Sequence, residues 1–123
     1  KLYVADSKNH AVRVVDLNST VITTIAGVLG ERGVLGDGGP AAAAHLDTPQ
    51  GLALDTSGNC LFVADSGNFA VRRLDLATGH ISTIAGALGA FGAAGVGLQD
   101  EGPATSARLC HPSDVALDTH ERH

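Results

Sequence analysis

Leu61–Gly86 reads LFVADSGNFAVRRLDLATGHISTIAG, and Leu2–Gly27 reads LYVADSKNHAVRVVDLNSTVITTIAG. Superposed without a gap, the two stretches agree at 16 of 26 positions. The chain is therefore an internal duplication before any site is considered. Each copy holds three short runs of Val, Ile and Leu, separated by Asp, Ser, Asn and Gly. β-Branched residues favour pleated strands, whereas Asp and Asn favour turns because their side chains bond nearby backbone N–H groups. The spacing predicts strands over Leu2–Ala5, Ala11–Leu17 and Val21–Ala26. It predicts them again from Leu61, over Ala70–Leu76 and over His80–Ala85, as an antiparallel meander.

Working outward, Gly27–Gln50 is a glycine-rich loop containing VLGERGVLGDGGP. Ala41–Ala44 are expected to form one helical turn with Pro40 at its first position and Leu46 pinning it to the body. Gly51–Asp55 is a predicted fourth strand, and Thr56–Asn59 turns the chain into the second copy. After Gly86 comes a longer loop, GALGAFGAAGVGLQDEGPATSARLCHP. With Pro40 set against Pro103 and Pro49 against Pro112, it is about four residues longer, as surface loops tolerate. Ser113–Asp118 is expected to begin another strand of the fourth type.

The repeat is thus about 60 residues and four strands long, which is the blade of a β-propeller rather than a β-sandwich. The expected fold class is all-β: propeller blades of four antiparallel strands, incomplete as a propeller. Residues 1–27 supply strands two to four of one blade and 28–50 an inter-blade loop. Residues 51–86 make a complete blade, 87–112 a second loop, and 113–123 the start of a next blade. Open strand edges lead to the expectation of a segment within a longer protein, its remaining blades being partners.

Composition agrees. Hydrophobic residues make up 44% but aromatics only 3%, with no Trp or Met and 16 Gly. Small and branched aliphatics must fill the core. A net charge of −5 makes nucleic acid and anionic membrane poor partners. No apolar run approaches the roughly 20 residues of a membrane-spanning helix. Cys60 and Cys110 make no disulfide framework and are expected to be separate, mostly buried thiols. The opening Lys1–Leu2 identifies no compartment.

The pattern VADSxNxAVRxxDL, a TIAG ending, a GDGGPA loop and a P-x-G-L-A-L-D strand resemble the NHL-repeat family. Val4-Ala5-Asp6, Asn9, Val12-Arg13 and Thr24–Gly27 carry the resemblance, as do Val63-Ala64-Asp65, Asn68, Val71-Arg72 and Thr83–Gly86. The loop at Gly36–Ala41 resembles long-loop versions in teneurins and in bacterial and plant NHL proteins; Asp100–Ala104 is a degraded copy. The resemblance implies a propeller, most often of six blades, acting as a protein-interaction scaffold. The alternative it implies is part of a propeller enzyme, amidating-lyase-like or lactonase-like, with a metal at the central channel. RNA binding, known in some members, would need a basic face.

Asp6, Asn9, Asp65 and Asn68 are hard-oxygen residues, but DSKN and DSGN supply too few ligands for calcium. They are expected to cap the turn between adjacent strands. Arg13 and Arg72 lie on apolar strands at equivalent positions and are expected to pair with Asp6, Asp16, Asp65 or Asp75. Arg73 is expected to be exposed. His10, matched by Phe69, is expected to pack through its ring. Cys110, His111, His120 and His123 match no zinc spacing. There is no phosphate-binding glycine motif and no Gly-x-Ser-x-Gly elbow. No catalytic, metal or cofactor residue is therefore expected. Candidate partner contacts are the loop residues Glu31, Arg32, Asp37, Phe91, Gln99, Asp100 and Glu101.

Overall fold

The computed structural model describes residues 1–90 and 100–118. Strands β1 (Leu2–Asp6), β2 (Ala11–Val15) and β3 (Ile22–Ala26) form a three-stranded antiparallel sheet in that order. Strands β4 (Pro49–Leu54), β5 (Cys60–Asp65), β6 (Ala70–Asp75) and β7 (Ile81–Ala85) form a four-stranded one. Both are antiparallel meanders, the build of propeller blades. The duplication extends to the backbone. Leu2 pairs with Val15 as Leu61 pairs with Leu74, and the ladder shifts register at Val12–Arg13 as it does at Val71–Arg72. Ser7–Asn9 and Ser66–Asn68 are matching 3-10 turns, closed by His10 and Phe69 in the left-handed conformation.

Several boundaries differ from the sequence reading. The β2 strand stops at Val15 because the Asp16 carboxylate turns the chain, accepting the N–H groups of Asn18 at 2.9 Å and Ser19 at 3.3 Å. Those bonds hold the Asp16 carboxyl below its ordinary value of 3.8. Asp75 does the same work for Ala77 and Thr78, at 3.0 and 3.2 Å. Neither aspartate is an arginine partner. Ala41–Ala43 form a 3-10 turn. Residues 113–118 are in no strand: they lie against Gly51 but have no ladder neighbour among the described residues, and a strand exists only by pairing.

The core lies where the first loop meets the second sheet. Val12 and Ala26 from the first sheet, Ala41, Ala44 and Leu46 from the loop, and Leu61, Val63, Leu74 and Ile81 from the second form one buried cluster. Burying a Leu such as Leu46 is worth about 1.5–3 kcal/mol, which anchors the loop to the sheet. Cys60 and Cys110 are both free; Cys60 is buried, but Cys110 is exposed, contrary to expectation.

Gly86 ends β7 at φ +83°, and a Cβ there would collide with the Phe69 carbonyl oxygen and crowd the Ala70 Cα. A left-handed non-glycine residue costs about 1–2 kcal/mol before any clash. Gly86→Ala is therefore expected to destabilise the chain by about 2 kcal/mol or more, read as a lowered urea midpoint. Gly58→Ala is the control, since its φ is +76° but a Cβ there meets open space. It should cost only the conformational part.

Candidate functional site

The polar motif of the second copy converges on Arg72, whose side chain is fully buried. The ladder shifts register at Val71–Arg72, and Arg72 shares the buried face of β6 with Ala70 and Leu74. Arg72 Nη1 donates to Asp65 Oδ2 at 2.8 Å and Nη2 donates to Asp37 Oδ1 at 3.0 Å. The Arg72 Nε is buried without a partner. Asp37 Oδ1 also accepts from the Thr83 hydroxyl at 3.1 Å. Asn68 Nδ2 bridges Asp65 Oδ2 at 2.9 Å and the Gly33 carbonyl at 2.7 Å. Asp65 Oδ1 accepts the Asp47 N–H at 2.8 Å.

This arrangement differs from a turn cap. The Asp6 and Asp65 side chains make no capping bond to the 3-10 turns that follow them. Asp65 instead serves the arginine, the asparagine and the loop backbone. Burial pushes the Asp65 carboxyl above its ordinary 3.8, against the lowering effect of Asp47 N–H, Asn68 and Arg72. A carboxyl raised in the folded state favours folding below pH 3.8, and that contribution is lost as pH rises through the folded value. The pair is therefore kept by the need of Arg72 for a counter-charge.

The first copy holds a thinner version. Asn9 Nδ2 and Arg13 Nη1 each donate to Asp6 Oδ2 at 3.1 Å, but these side chains are part-exposed: Arg13 is 19% and Asp6 29% accessible. No described residue does for Arg13 what Asp37 does for Arg72. Arg73 is half-buried rather than exposed. His10 does more than pack, because its Nδ1 accepts the Thr48 N–H at 3.0 Å. At the equivalent pair, Phe69 meets the His111 ring edge-on at 4.9 Å.

The loop candidates divide. Asp37 is engaged with Arg72, a role missed because its partner is 35 positions away; the available signal was its repetition as Asp100 in the second loop. Glu31 and Arg32 are exposed, with Glu31 Oε1 3.5 Å from His45 Nε2. Asp100 and Glu101 are exposed. Phe91, Gln99, His120 and His123 lie outside the described residues. Among the described residues, no group of three or more His, Cys, Asp or Glu is placed to hold a metal ion.

No protein-family model matches the chain. It is 37% identical over 81 residues to NHL repeat-containing protein 2 of Bos taurus, an alignment covering 66% of this chain and 11% of that protein. It is 35% identical over 83 residues to the Homo sapiens protein of the same name, covering 68% and 11%. Protein SUPPRESSOR OF QUENCHING 1, chloroplastic, of Arabidopsis thaliana is 37% identical over 84 residues, covering 68% and 8%. The chain thus spans about a tenth of these relatives' length. Among solved structures, a Bacteroides thetaiotaomicron protein of unknown function superposes with a TM-score of 0.73 at 22% identity, covering 91% of this chain and 26% of that one. An auxiliary nutrient binding protein of the same organism gives 0.67 at 19% identity, covering 94% and 29%. These share the propeller fold.

The two copies predict different costs for one substitution. Asp65→Ala removes the buried carboxylate from Arg72 Nη1, leaves only the part-exposed Asp37 on Nη2, and is expected to cost about 3 kcal/mol. Asp6→Ala, at a part-exposed pair, is expected to cost about 1 kcal/mol or less. Urea unfolding of the two variants checks the contrast, and equal losses would contradict it.

Proposed function

We propose that this chain, which belongs to the NHL-repeat β-propellers, is a non-catalytic protein-interaction module whose contact surface is the outer side of the loop after each blade. The observation that carries the reading is how the polar groups are used. Asp65, Asn68, Arg72 and Asp37 satisfy one another inside the fold, so little of the repeat motif is left for a ligand. The loop's outer side is different in character. Leu29, Val34 and Leu35 stand 49%, 43% and 69% exposed beside Glu31 and Arg32. Large exposed apolar side chains interspersed with charged ones along one loop favour a protein partner.

The loop is also ordered in advance. Gly30 N–H donates to the Asn9 carbonyl at 2.8 Å, Gly33 N–H to Leu46 at 3.0 Å, and His45 N–H to Leu35 at 2.8 Å. A loop already fixed loses little entropy on binding. The partner such a surface suits is a protein presenting an apolar patch flanked by charges of both signs.

A photo-cross-linking residue at position 35 of the full-length protein would capture the partner. With that partner purified, Leu29→Ser, Val34→Ser and Leu35→Ser together should weaken binding about thirtyfold or more, with the thermal midpoint unchanged. Unaltered affinity removes the loop from the contact. Stoichiometric metal together with turnover in the full-length protein would replace this reading with that of a propeller enzyme.

A further inference from the structure

The turn that joins β2 to β3 and the turn that joins β6 to β7 share one set of bonds but not one set of residues. Asp16 Oδ1 accepts the Asn18 and Ser19 N–H groups at 2.9 and 3.3 Å, as Asp75 Oδ1 accepts those of Ala77 and Thr78 at 3.0 and 3.2 Å. The Ser19 hydroxyl accepts the Val21 N–H at 3.3 Å, and the Thr78 hydroxyl accepts that of His80 at 3.3 Å. Thr20 N–H donates to the Asp16 carbonyl at 2.6 Å, and Gly79 N–H to the Asp75 carbonyl at 2.7 Å. None of these bonds uses the side chain of Asn18 or of Thr20. The Thr20 hydroxyl donates only to the adjacent Ser19 carbonyl, at 2.6 Å. The Asn18 amide group bonds to no described residue, whereas Asn9 and Asn68 spend theirs on Asp6 and Asp65.

Thr20 is also a poor choice for its backbone. It stands at φ +61°, where the second copy places Gly79 at +76°. Glycine adopts that region freely, but a β-branched residue there is strained. Strain held by a side chain that the fold does not use is a pointer to function. Against Ala77 and Gly79, the first copy thus carries an amide and, two residues on, a hydroxyl that the turn does without. Asn18-Ser19-Thr20 is the Asn-x-Thr pattern of N-linked glycosylation. The other three asparagines lack the pattern, since Asn9, Asn59 and Asn68 are followed at the second position by Ala11, Leu61 and Ala70.

The turn has room for a sugar. Asn18, Ser19 and Thr20 are all exposed. So are Ala77, Thr78 and Gly79 in the four-stranded sheet, against which the first sheet and the first loop both pack, and a Cβ at Gly79 would meet open space. Exposure is therefore a property of the turn itself. It lies at the Val15–Ile22 end of the ladder, opposite the Val12–Ala26 end that leads into the first loop.

We propose that Asn18 is an acceptor for N-linked glycosylation. The Asn18 Nδ2 bonds to the anomeric carbon of a lipid-diphosphate-linked oligosaccharide. The bond from that carbon to the diphosphate oxygen breaks, the lipid diphosphate leaves, and Nδ2 gives up one proton. Thr20 supplies the hydroxyl that the transferase requires in this pattern. Such transfer takes place outside the cytosol, where the full-length protein then presents this turn. A bulky hydrophilic group stands at the end of the blade away from the loop, so the loop surface stays open.

Trypsin cuts after Arg13 and Arg32, so full-length protein purified from its own cells yields Val14–Arg32 as one peptide. Treatment with an N-glycosidase in heavy-oxygen water should convert Asn18 to aspartate carrying the heavy atom. Asn18→Gln and Thr20→Ala should abolish the label, and Thr20→Ser should keep it. Once both are deglycosylated, Asn18→Gln should melt with the unsubstituted protein, because the fold does not use the amide. Thr20→Gly should lose the label yet raise the urea midpoint, which separates the modification from stability. Recovery of Val14–Arg32 only in unmodified form would overturn the proposal, as would a label that survives Asn18→Gln or Thr20→Ala. A Thr20→Gly variant no more stable than the unsubstituted protein would remove the strain on which the inference rests and overturn it equally.

Discussion

The fully buried guanidinium of Arg72 is the constraint on which the rest of the structure depends. Removing such an ion from water costs several kcal/mol, and the loss is recovered only if its donors meet well-placed acceptors. Asp65 lies on the neighbouring strand, seven positions away, and belongs to the same repeat. Asp37 lies on the loop that precedes the blade. Burial of one charge therefore forces loop and blade to be ordered together. Asn68 reinforces the coupling from the other side by reaching Gly33, and Asp65 does so by accepting from Asp47.

Arg13 occupies the equivalent place in the first sheet. It has the same Asp and Asn neighbours and the same bulge, but its ion pair remains in partial contact with solvent. This bears on function as well. A repeat that spends its carboxylates and amides on its own arginine leaves few of them free for other contacts.

The period of the duplication made the blade legible in the sequence, since strand, turn and glycine positions recur at one spacing in both copies. Pairing of Arg72 with Asp65 was legible too, because both belong to one repeat. Asp37 was not, since its partner lies beyond any local pattern, and proximity in sequence misled by offering Asp16 and Asp75. Those two instead hold the N–H groups two and three positions ahead, a local bond that ends a strand. The loop candidates Glu31 and Arg32 were visible only as members of a variable segment. Residues 113–118 have a strand's sequence without a strand's neighbour, and no pattern of side chains supplies the missing hydrogen bonds.

The two loops also show how such a repeat varies without losing its fold. From Glu101 to His111 the second loop keeps the left-handed positions and the 3-10 turn of Gly38 to Thr48. At its start, Gly89 N–H meets the Asn68 carbonyl at 2.8 Å just as Gly30 meets Asn9. The additional residues of the second loop must therefore fall between these fixed points, ahead of Asp100. Both flanks of that insertion are tied to a blade by backbone hydrogen bonds. His10 and Phe69 show the same tolerance at a single site: one accepts the Thr48 N–H and the other meets the His111 ring, and the left-handed turn is preserved. Backbone geometry is the invariant of this repeat, and side-chain chemistry is free wherever that geometry is satisfied by other means.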